Sequence, residues 1–379
     1  MFERIMVTGA GGPGAVNLSR SLLSMAKKPW LLAVDASAFY VHLALGHARA
    51  VVPRCDDIDA YIEAINALVR THKIDFILPN NSLEIRVLSA HREVLEAPVF
   101  LPEVRALDAS NSKWESYACF EKANLPVPQT RLISNAEELA EAFSQLQPNP
   151  DVPVWVRGAG IPGRGVGVAS LPCRTVAQAN QWIDYHEGWG GMIASEFLPG
   201  ANLTWMGLFN RGELIVSQGR ERHAYVIPHV SPSGITGAPA ISETIHDATV
   251  NETGHAAVLS VDPTYTGVAF VDMKGDALGV PKVTEINAGR FGTTHYFYSA
   301  AGANFPEYLL RCAAGERLDV PQKDILPSGL IWIRTLDAGP VLTTRDALEG
   351  GSALTLDAQS RWPNVPQTWH DFFSPSDAS

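Results

Sequence analysis

The sequence predicts an α/β protein with a Rossmann-like parallel-sheet domain at its N-terminus, followed by α+β segments that converge on a strand hairpin. Three observations carry this reading. Short apolar runs alternate with helical spacing through the first third of the chain. A glycine cluster, Gly9-Ala-Gly-Gly-Pro-Gly14, joins the first such run to the first helix. Further on, 267–273 and 283–287 alternate as half-buried strands do, with acids on one face. At 379 residues, 46% apolar and 18% charged, the chain is long enough for two or three subdomains around a sizeable core.

Composition narrows the function classes. A net charge of -11 argues against sequence-independent nucleic-acid binding, which relies on many lysines and arginines neutralising phosphates. Cys55, Cys119, Cys173 and Cys312 lack CxxC spacing, so neither a zinc site nor a disulfide framework is expected. No apolar run reaches the roughly 18 residues of a membrane span, and the chain enters a strand directly from Met1, so a cytoplasmic protein is expected.

Ile5-Met-Val-Thr8 reads as a buried strand, the glycine cluster opens a helix through Leu23, and Leu31-Leu-Ala-Val-Asp35 is a second strand. Gly9, Gly11 and Gly14 fit GxGxxG with an acid about 21 residues later. Such a turn brings backbone N–H groups to a pyrophosphate at a helix N-terminus while the acid holds a ribose. The same glycines also suit a tight strand-to-helix turn with no ligand, which is preferred because a fingerprint does not establish function without its site. Tyr61, Ile62, Ile65, Leu68 and Val69 predict a helix over 59–72, and Phe76-Ile-Leu78 and Val99-Phe-Leu101 read as further strands. Asn80, Asn81 and Glu84 are accounted for by a polar loop and left out of the site.

A helix from about Ser112 to Ala123 leads into Leu125-Pro-Val-Pro-Gln-Thr130. Val154-Trp-Val-Arg157 is a strand, followed by the glycine-rich 158–167 and a return strand through Ser170. Glycines there permit backbone conformations closed to other residues and let N–H groups approach phosphate oxygens. No Gly-Lys-Ser/Thr follows, so this is not a Walker sequence; a plain hairpin turn is the other reading. A helix over about 175–186 precedes Met192-Ile-Ala-Ser-Glu196-Phe-Leu-Pro-Gly200, and a strand over 214–219 brings Arg220 and Arg222 onto one face. The Gly, Ser and Pro of 228–239 suit a substrate-covering segment or an ordinary loop equally. Helices are expected over 249–261 and 306–314, His295 reads as structural, and the tail 374–379 as frayed.

In the hairpin, Val268, Phe270 and Asp272 share one face of the first strand, and Glu285 and Asn287 one face of the second, with Lys274–Val280 expected as the connection. Residues two apart on a strand lie roughly 6.6 Å apart, so pairing brings Asp272 opposite the Glu285/Asn287 face. No counter-cation is evident nearby, so the converging acids call for one. Carboxylates and an amide carbonyl are hard oxygen donors that suit magnesium, which takes its remaining ligands from water and phosphates. A surface hairpin with solvated acids is the alternative.

In their order, these segments resemble the ATP-grasp superfamily, especially the branch related to the carbamoyl phosphate synthase large subunit, whose magnesium strands carry an acid or amide and then Glu-x-Asn-Pro-Arg. Here Ala288-Gly289 stands where a single proline is common, which displaces Arg290 by one residue. The resemblance covers roughly residues 1–315. It implies a Rossmann-like domain over 1–110, a small ATP-grasp subdomain with the glycine-rich loop over 111–194, a large subdomain with the hairpin over 195–318, and a C-terminal extension over 319–379. It further implies that Asp272, Glu285 and Asn287 hold magnesium, with manganese as an alternative. Lys113, Arg157, Gly163, Arg164 and Gly165 would meet ATP, Glu196, Phe197 and Leu198 would form the adenine hinge, and Asn202 would stand where an acid commonly holds the ribose. Arg220, Arg222 and Arg290 would face the reacting phosphate or the acceptor.

The chemistry so implied is ATP-dependent ligation of a small-molecule carboxylate to an amine through an acyl phosphate, with release of ADP and phosphate. It needs no side-chain nucleophile, in keeping with a sequence that lacks G-x-S-x-G. Neither nucleic acid nor membrane is an expected partner, and a homodimer is allowed. Two other classes stay open: an NAD(P)-dependent oxidoreductase using Gly9 to Asp35, and a non-catalytic nucleotide-binding module.

Overall fold

The computed structural model describes residues 2–161, 170–231, 233–235 and 237–335. Its first sheet joins β1 (Arg4–Thr8), β2 (Trp30–Asp35), β3 (Ala48–Val51) and β4 (Phe76–Pro79) in the order β3-β2-β1-β4, all parallel. Helices Pro13–Leu23, Ile58–His72 and Ser82–Ala90 alternate with these strands, and Ile5, Met6, Leu31, Leu32, Phe76 and Ile77 are fully buried, as strands of a parallel sheet covered on both faces must be. β3 is not legible in the sequence. Conversely, Val99-Phe-Leu101 forms no strand. Ile77 N donates to Pro98 O (3.0 Å), but Pro98 and Pro102 on either side have no N–H with which to continue a ladder.

The glycine turn after β1 is packed by the protein itself. A Cβ on Gly11 would come within 2.1 Å of Tyr40 O, and one on Gly14 within 2.7 Å of the Asn80 amide and 3.0 Å of Phe291 O. The Asp35 carboxylate accepts from Gly11 N (2.9 Å) and Ser37 N (2.8 Å). The acid that would hold a ribose is thus committed to the turn, and Gly11 has the Tyr40 main chain where a pyrophosphate would approach.

The second sheet contains β5 (Thr130–Ile133), β6 (Val154–Gly158), β7 (Ser170–Cys173) and β8 (Met192–Ser195) in the antiparallel order β5-β8-β6-β7. Helices Ala136–Leu146 and Val176–Tyr185 cover one face through Leu139, Phe143 and Ile183. Alternation along β6 buries Val154 and Val156 in that core and leaves Trp155 and Arg157 on the other face.

The third sheet is the largest: β9 (Asn202–Asn210), β10 (Glu213–Tyr225), β11 (Pro239–Ile245), β12 (Gly267–Gly275), β13 (Pro281–Ala288) and β14 (Ile331–Ile333), ordered β13-β12-β9-β10-β11-β14 with every pairing antiparallel. The helix Ala248–Val261 lies against it, its Asn251 accepting from the buried Trp205 indole (3.0 Å). β12 runs further than expected, pairing Lys274 with Lys282 and Gly275 with Pro281. The connection is therefore 276–280 and not 274–280, and Asp276 holds it by accepting from Leu278 N (2.8 Å) and Val280 N (2.9 Å). β14 belongs to the region after 319, so part of that extension joins the sheet. Among the described residues no helix is long and apolar enough to cross a membrane.

Candidate active site

The face of the second sheet that carries Arg157 looks toward the third sheet across a cavity of about 530 Å³. Lys113, Arg157, Glu196, Phe197, Leu198, Asn202, Arg220, Arg222, Asp272, Glu285, Asn287 and Arg290 all line it. Gly163, Arg164 and Gly165 lie outside the described residues. Counting Lys274, the charged lining among the described residues is six cations (Lys113, Arg157, Arg220, Arg222, Lys274, Arg290) against three acids (Glu196, Asp272, Glu285). This surplus of positive charge, in a protein of net charge -11, suits an anionic occupant.

Strand register fixes the acids. Asp272 pairs directly with Glu285, Phe270 pairs with Asn287, and a register shift follows Asp272. The expectation that these acids lack a counter-cation is wrong. Arg157 Nη2 donates to Glu285 Oε2 (2.6 Å), Lys113 Nζ lies 3.6 Å from the same oxygen, and Arg222 Nη1 lies 3.3 Å from Asp272 Oδ1. These cations come from three distant segments that only the fold brings together. Burial works against ionisation of Glu285, but the charges of Arg157 and Lys113 outweigh it and hold the carboxyl well below its ordinary range, at about 2. Burial, with Arg157 adding, lowers the affinity of Lys113 for its proton, and Glu285 opposes this.

Asp272 is held from two sides. Thr204 Oγ1 donates to its Oδ1 (2.7 Å), and Asn287 Nδ2 faces its Oδ2 at 3.5 Å. The Asn287 amide oxygen accepts from Arg290 Nη2, so the one-residue displacement leaves Arg290 in reach of this group. Among the described residues no three His, Cys, Asp or Glu side chains converge as a metal cage. The two carboxylates, with an Asn287 amide oxygen that would have to leave Arg290 to join them, are a partial set of hard oxygens, which fits an ion such as magnesium that keeps waters and shares substrate phosphates.

Arg220 is the least compensated charge. It is 4% exposed, its Nη1 donates to Thr294 Oγ1, its Nε has no partner, and among the described residues it makes no ion pair with a carboxylate. The rings of Phe270 and Tyr298 each lie 5.9 Å from its guanidinium carbon. Burial depresses its pKa, and neighbouring Arg222 and Arg334 push the same way. The Glu196 carboxylate is taken by Lys282 Nζ, and Phe197 and Leu198 beside it line the cavity. Asn202 Oδ1 accepts from Lys274 Nζ (3.0 Å), which also donates to Gly200 O (3.1 Å).

Residues outside the sequence reading complete the site. Thr204, Lys274 and Thr293 line the cavity, and Lys282 Nζ donates to Glu196 Oε1. Asn80, set aside as loop polarity, clamps the segment after the hairpin. Its Nδ2 donates to Phe291 O (3.1 Å) and its Oδ1 accepts from Phe291 N (2.7 Å), while Asn17 Nδ2 donates to Thr293 O (2.6 Å). His295 is fully buried, with Nδ1 2.7 Å from Gly292 O; burial lowers its pKa to about 4, with Arg220 adding, so it stands neutral beside the cavity.

No protein-family profile and no curated protein matches the sequence. Solved structures do match in fold. The biotin carboxylase domain dimer of 2-oxoglutarate carboxylase from Hydrogenobacter thermophilus, in complex with MgADP, ADP and bicarbonate, is 15% identical; the match covers 87% of this chain and 73% of that one, with a TM-score of 0.63. Carboxyaminoimidazole ribonucleotide synthase from Aspergillus clavatus, complexed with ATP, is 16% identical over 87% of this chain and 80% of that one, with a TM-score of 0.60. The L-amino acid ligase of Bacillus licheniformis is 14% identical over 82% and 74%, with a TM-score of 0.57. These proteins share the ATP-grasp fold, and it is the fold of this chain.

Proposed function

We propose that the protein is an ATP-dependent ligase that joins a carboxylate to an amine through an acyl phosphate, releasing ADP and phosphate. The observation that carries this reading is the pair of directly opposed carboxylates, Asp272 and Glu285, set among cations on the wall of one cavity in an ATP-grasp fold. ATP, which two of the solved structures similar in fold hold as ATP or as ADP and MgADP, would lie between the second and third sheets. Phe197 and Leu198 would face the base, Asn202 and Lys274 the ribose, and Lys113 and Arg157 the phosphates. Asp272, Glu285 and Asn287 would hold magnesium, which when bound supplies charge neutralisation between phosphate oxygens.

Each cation has a task on the reaction path. Arg157 presents a planar fork that suits phosphate oxygens, so exchanging Glu285 for a phosphate keeps its hydrogen bonds satisfied. Arg220 and Arg222 would hold the substrate carboxylate and the phosphoryl group moving onto it, and Arg290 would offset charge on the acyl phosphate before the amine displaces phosphate. Exclusion of water from the cavity would protect the acyl phosphate from hydrolysis. A carboxylate and amine panel scored by ADP release identifies the acid and the amine, and sedimentation tests a homodimeric assembly.

An isotope tests the reading. With ATP, magnesium, an amine and an ¹⁸O-labelled carboxylate chosen by ADP release, one labelled oxygen must leave in phosphate as the amide forms. Unlabelled phosphate with ADP would mean that water attacked ATP. AMP with pyrophosphate would mean adenylation and would reject the proposal.

A further inference from the structure

We infer that Thr204 is a positioning residue for the divalent cation: its hydroxyl fixes which oxygen of Asp272 is presented to the metal. The inference rests on the ligase reading for its metal, but its basis is separate. Thr204 lies on β9 directly opposite Asp272 on one side and Arg220 on the other. A single row of paired residues therefore crosses five strands, Glu285, Asp272, Thr204, Arg220 and Thr244.

In that row Asp272 sits between a like charge and a hydroxyl. Directly paired side chains have Cβ atoms about 4.5–5.5 Å apart, so Asp272 and Glu285 stand as close like charges, each held by its own cation, Arg222 and Arg157. The register shift after Asp272 means that regular pleating alone does not orient its carboxylate. Thr204 does. Its Oγ1 holds Oδ1 at 2.7 Å on the β9 side, which leaves Oδ2 facing Asn287 on the β13 side, where Glu285 also lies.

The choice of residue matters. Thr204 is 1% exposed, and a β-branched side chain on a strand has restricted χ1, so the hydroxyl is delivered to one place. Arg222 also reaches Oδ1, but it is a cation that a metal would displace or repel. A neutral hydroxyl can keep its bond when the metal arrives. Carboxylates that ligate metals are commonly oriented by such donors, whose loss typically costs about 10- to 100-fold in metal affinity.

The test is Mn²⁺ binding, followed by paramagnetic resonance of the free ion, to the full chain saturated with a non-hydrolysable ATP analogue. Thr204→Val, which keeps shape and removes the hydroxyl, is expected to weaken Mn²⁺ about 10- to 100-fold. Thr204→Ser is expected to restore most of the affinity. Should the valine variant fail to fold, Thr204→Ala supplies the same comparison. Mn²⁺ affinity in the valine or alanine variant equal to that of the unaltered protein would overturn the inference, as would an equal loss in the serine variant, which would assign the effect to packing. Asp272→Asn separates the two claims: if it binds Mn²⁺ as well as the unaltered protein, the metal assignment itself falls, and this inference with it.

Discussion

Arg157 and Glu285 form an ion pair, at 2.6 Å, between the second sheet and the hairpin of the third. Each partner is one that ATP and its metal would claim, the guanidinium by phosphate and the carboxylate by the cation. These two groups thus neutralise each other, and ligand entry would become an exchange of partners.

That exchange predicts a split in the effects of Arg157→Ala. The variant should lose about 100-fold or more in turnover, as removal of a group that stabilises developing charge commonly does. Its stability without nucleotide should fall by only about 1–2 kcal/mol, because Lys113 remains beside Glu285. Steady-state kinetics and urea unfolding check the two halves; equal changes in both would return Arg157 to a structural role.

Arg220 carries the opposite expectation. Among the described residues Arg220 is buried without a carboxylate partner, which costs stability, so Arg220→Met should leave the melting temperature of the ligand-free protein unchanged or higher. Turnover should fall about 100-fold or more while ATP affinity stays within about threefold. Calorimetry of ATP binding beside a substrate titration distinguishes this from a general disruption of the cavity.

Stability against pH should report Glu285. Its folded pKa is depressed, so the unfolded state binds the extra proton as pH falls, and the stabilisation is present above the unfolded value near 4.3 and lost toward about 2. Urea unfolding of the protein and of Glu285→Gln at pH 7, 4.5 and 3 should show a stability gap that narrows as the pH drops.

Glu84 has the reverse sign. It is 5% exposed, and burial pushes it up to about 7 against hydrogen bonds from Thr8 Oγ1 (3.0 Å) and Tyr61 OH (3.1 Å). The folded state therefore holds the proton longer, and its contribution is full below about 4.3 and lost as pH rises through about 7. Glu84→Gln should remove that decline, an effect on the order of 3 kcal/mol at pH 8, measured by unfolding at pH 5 and pH 8.

Nucleotide binding should require a divalent cation. Calorimetry in magnesium is expected to give an affinity that EDTA reduces at least about tenfold, since the cation would join Asp272 and Glu285 to the polyphosphate. Equal affinities in the two buffers would remove the metal from the site.

The hairpin was legible because Asp272, Glu285 and Asn287 stand out against a period of two, and Arg220 and Arg222 for the same reason. β9 was not: all seven residues between its first and last are buried, so its run 202–210 lacks the apolar-polar alternation that marks a half-buried strand. Thr204 and its bond to Asp272 went unseen with it. The cations beside the acids were hidden by distance in sequence, 128 residues in the case of Arg157 and Glu285. The extent of β12, and with it the place of Lys274, depends on the turn made by Asp276.

The Asn80–Phe291 clamp spans 211 residues and the Asn17–Thr293 bond 276. Synthesis at about 5–20 residues per second puts roughly 10 to 40 s between the emergence of Asn80 and that of its partner. For that interval the newborn first sheet carries a docking edge with nothing to dock, and the arginine-bearing turn acquires its shape only when almost the whole described chain has left the ribosome. Completion of this cavity wall is therefore a late event in synthesis, and a nascent chain stalled before residue 291 would lack both the Asn80 clamp and the Phe291, Phe297 and Phe305 side chains that share a core with Ile5, Val7 and Leu31.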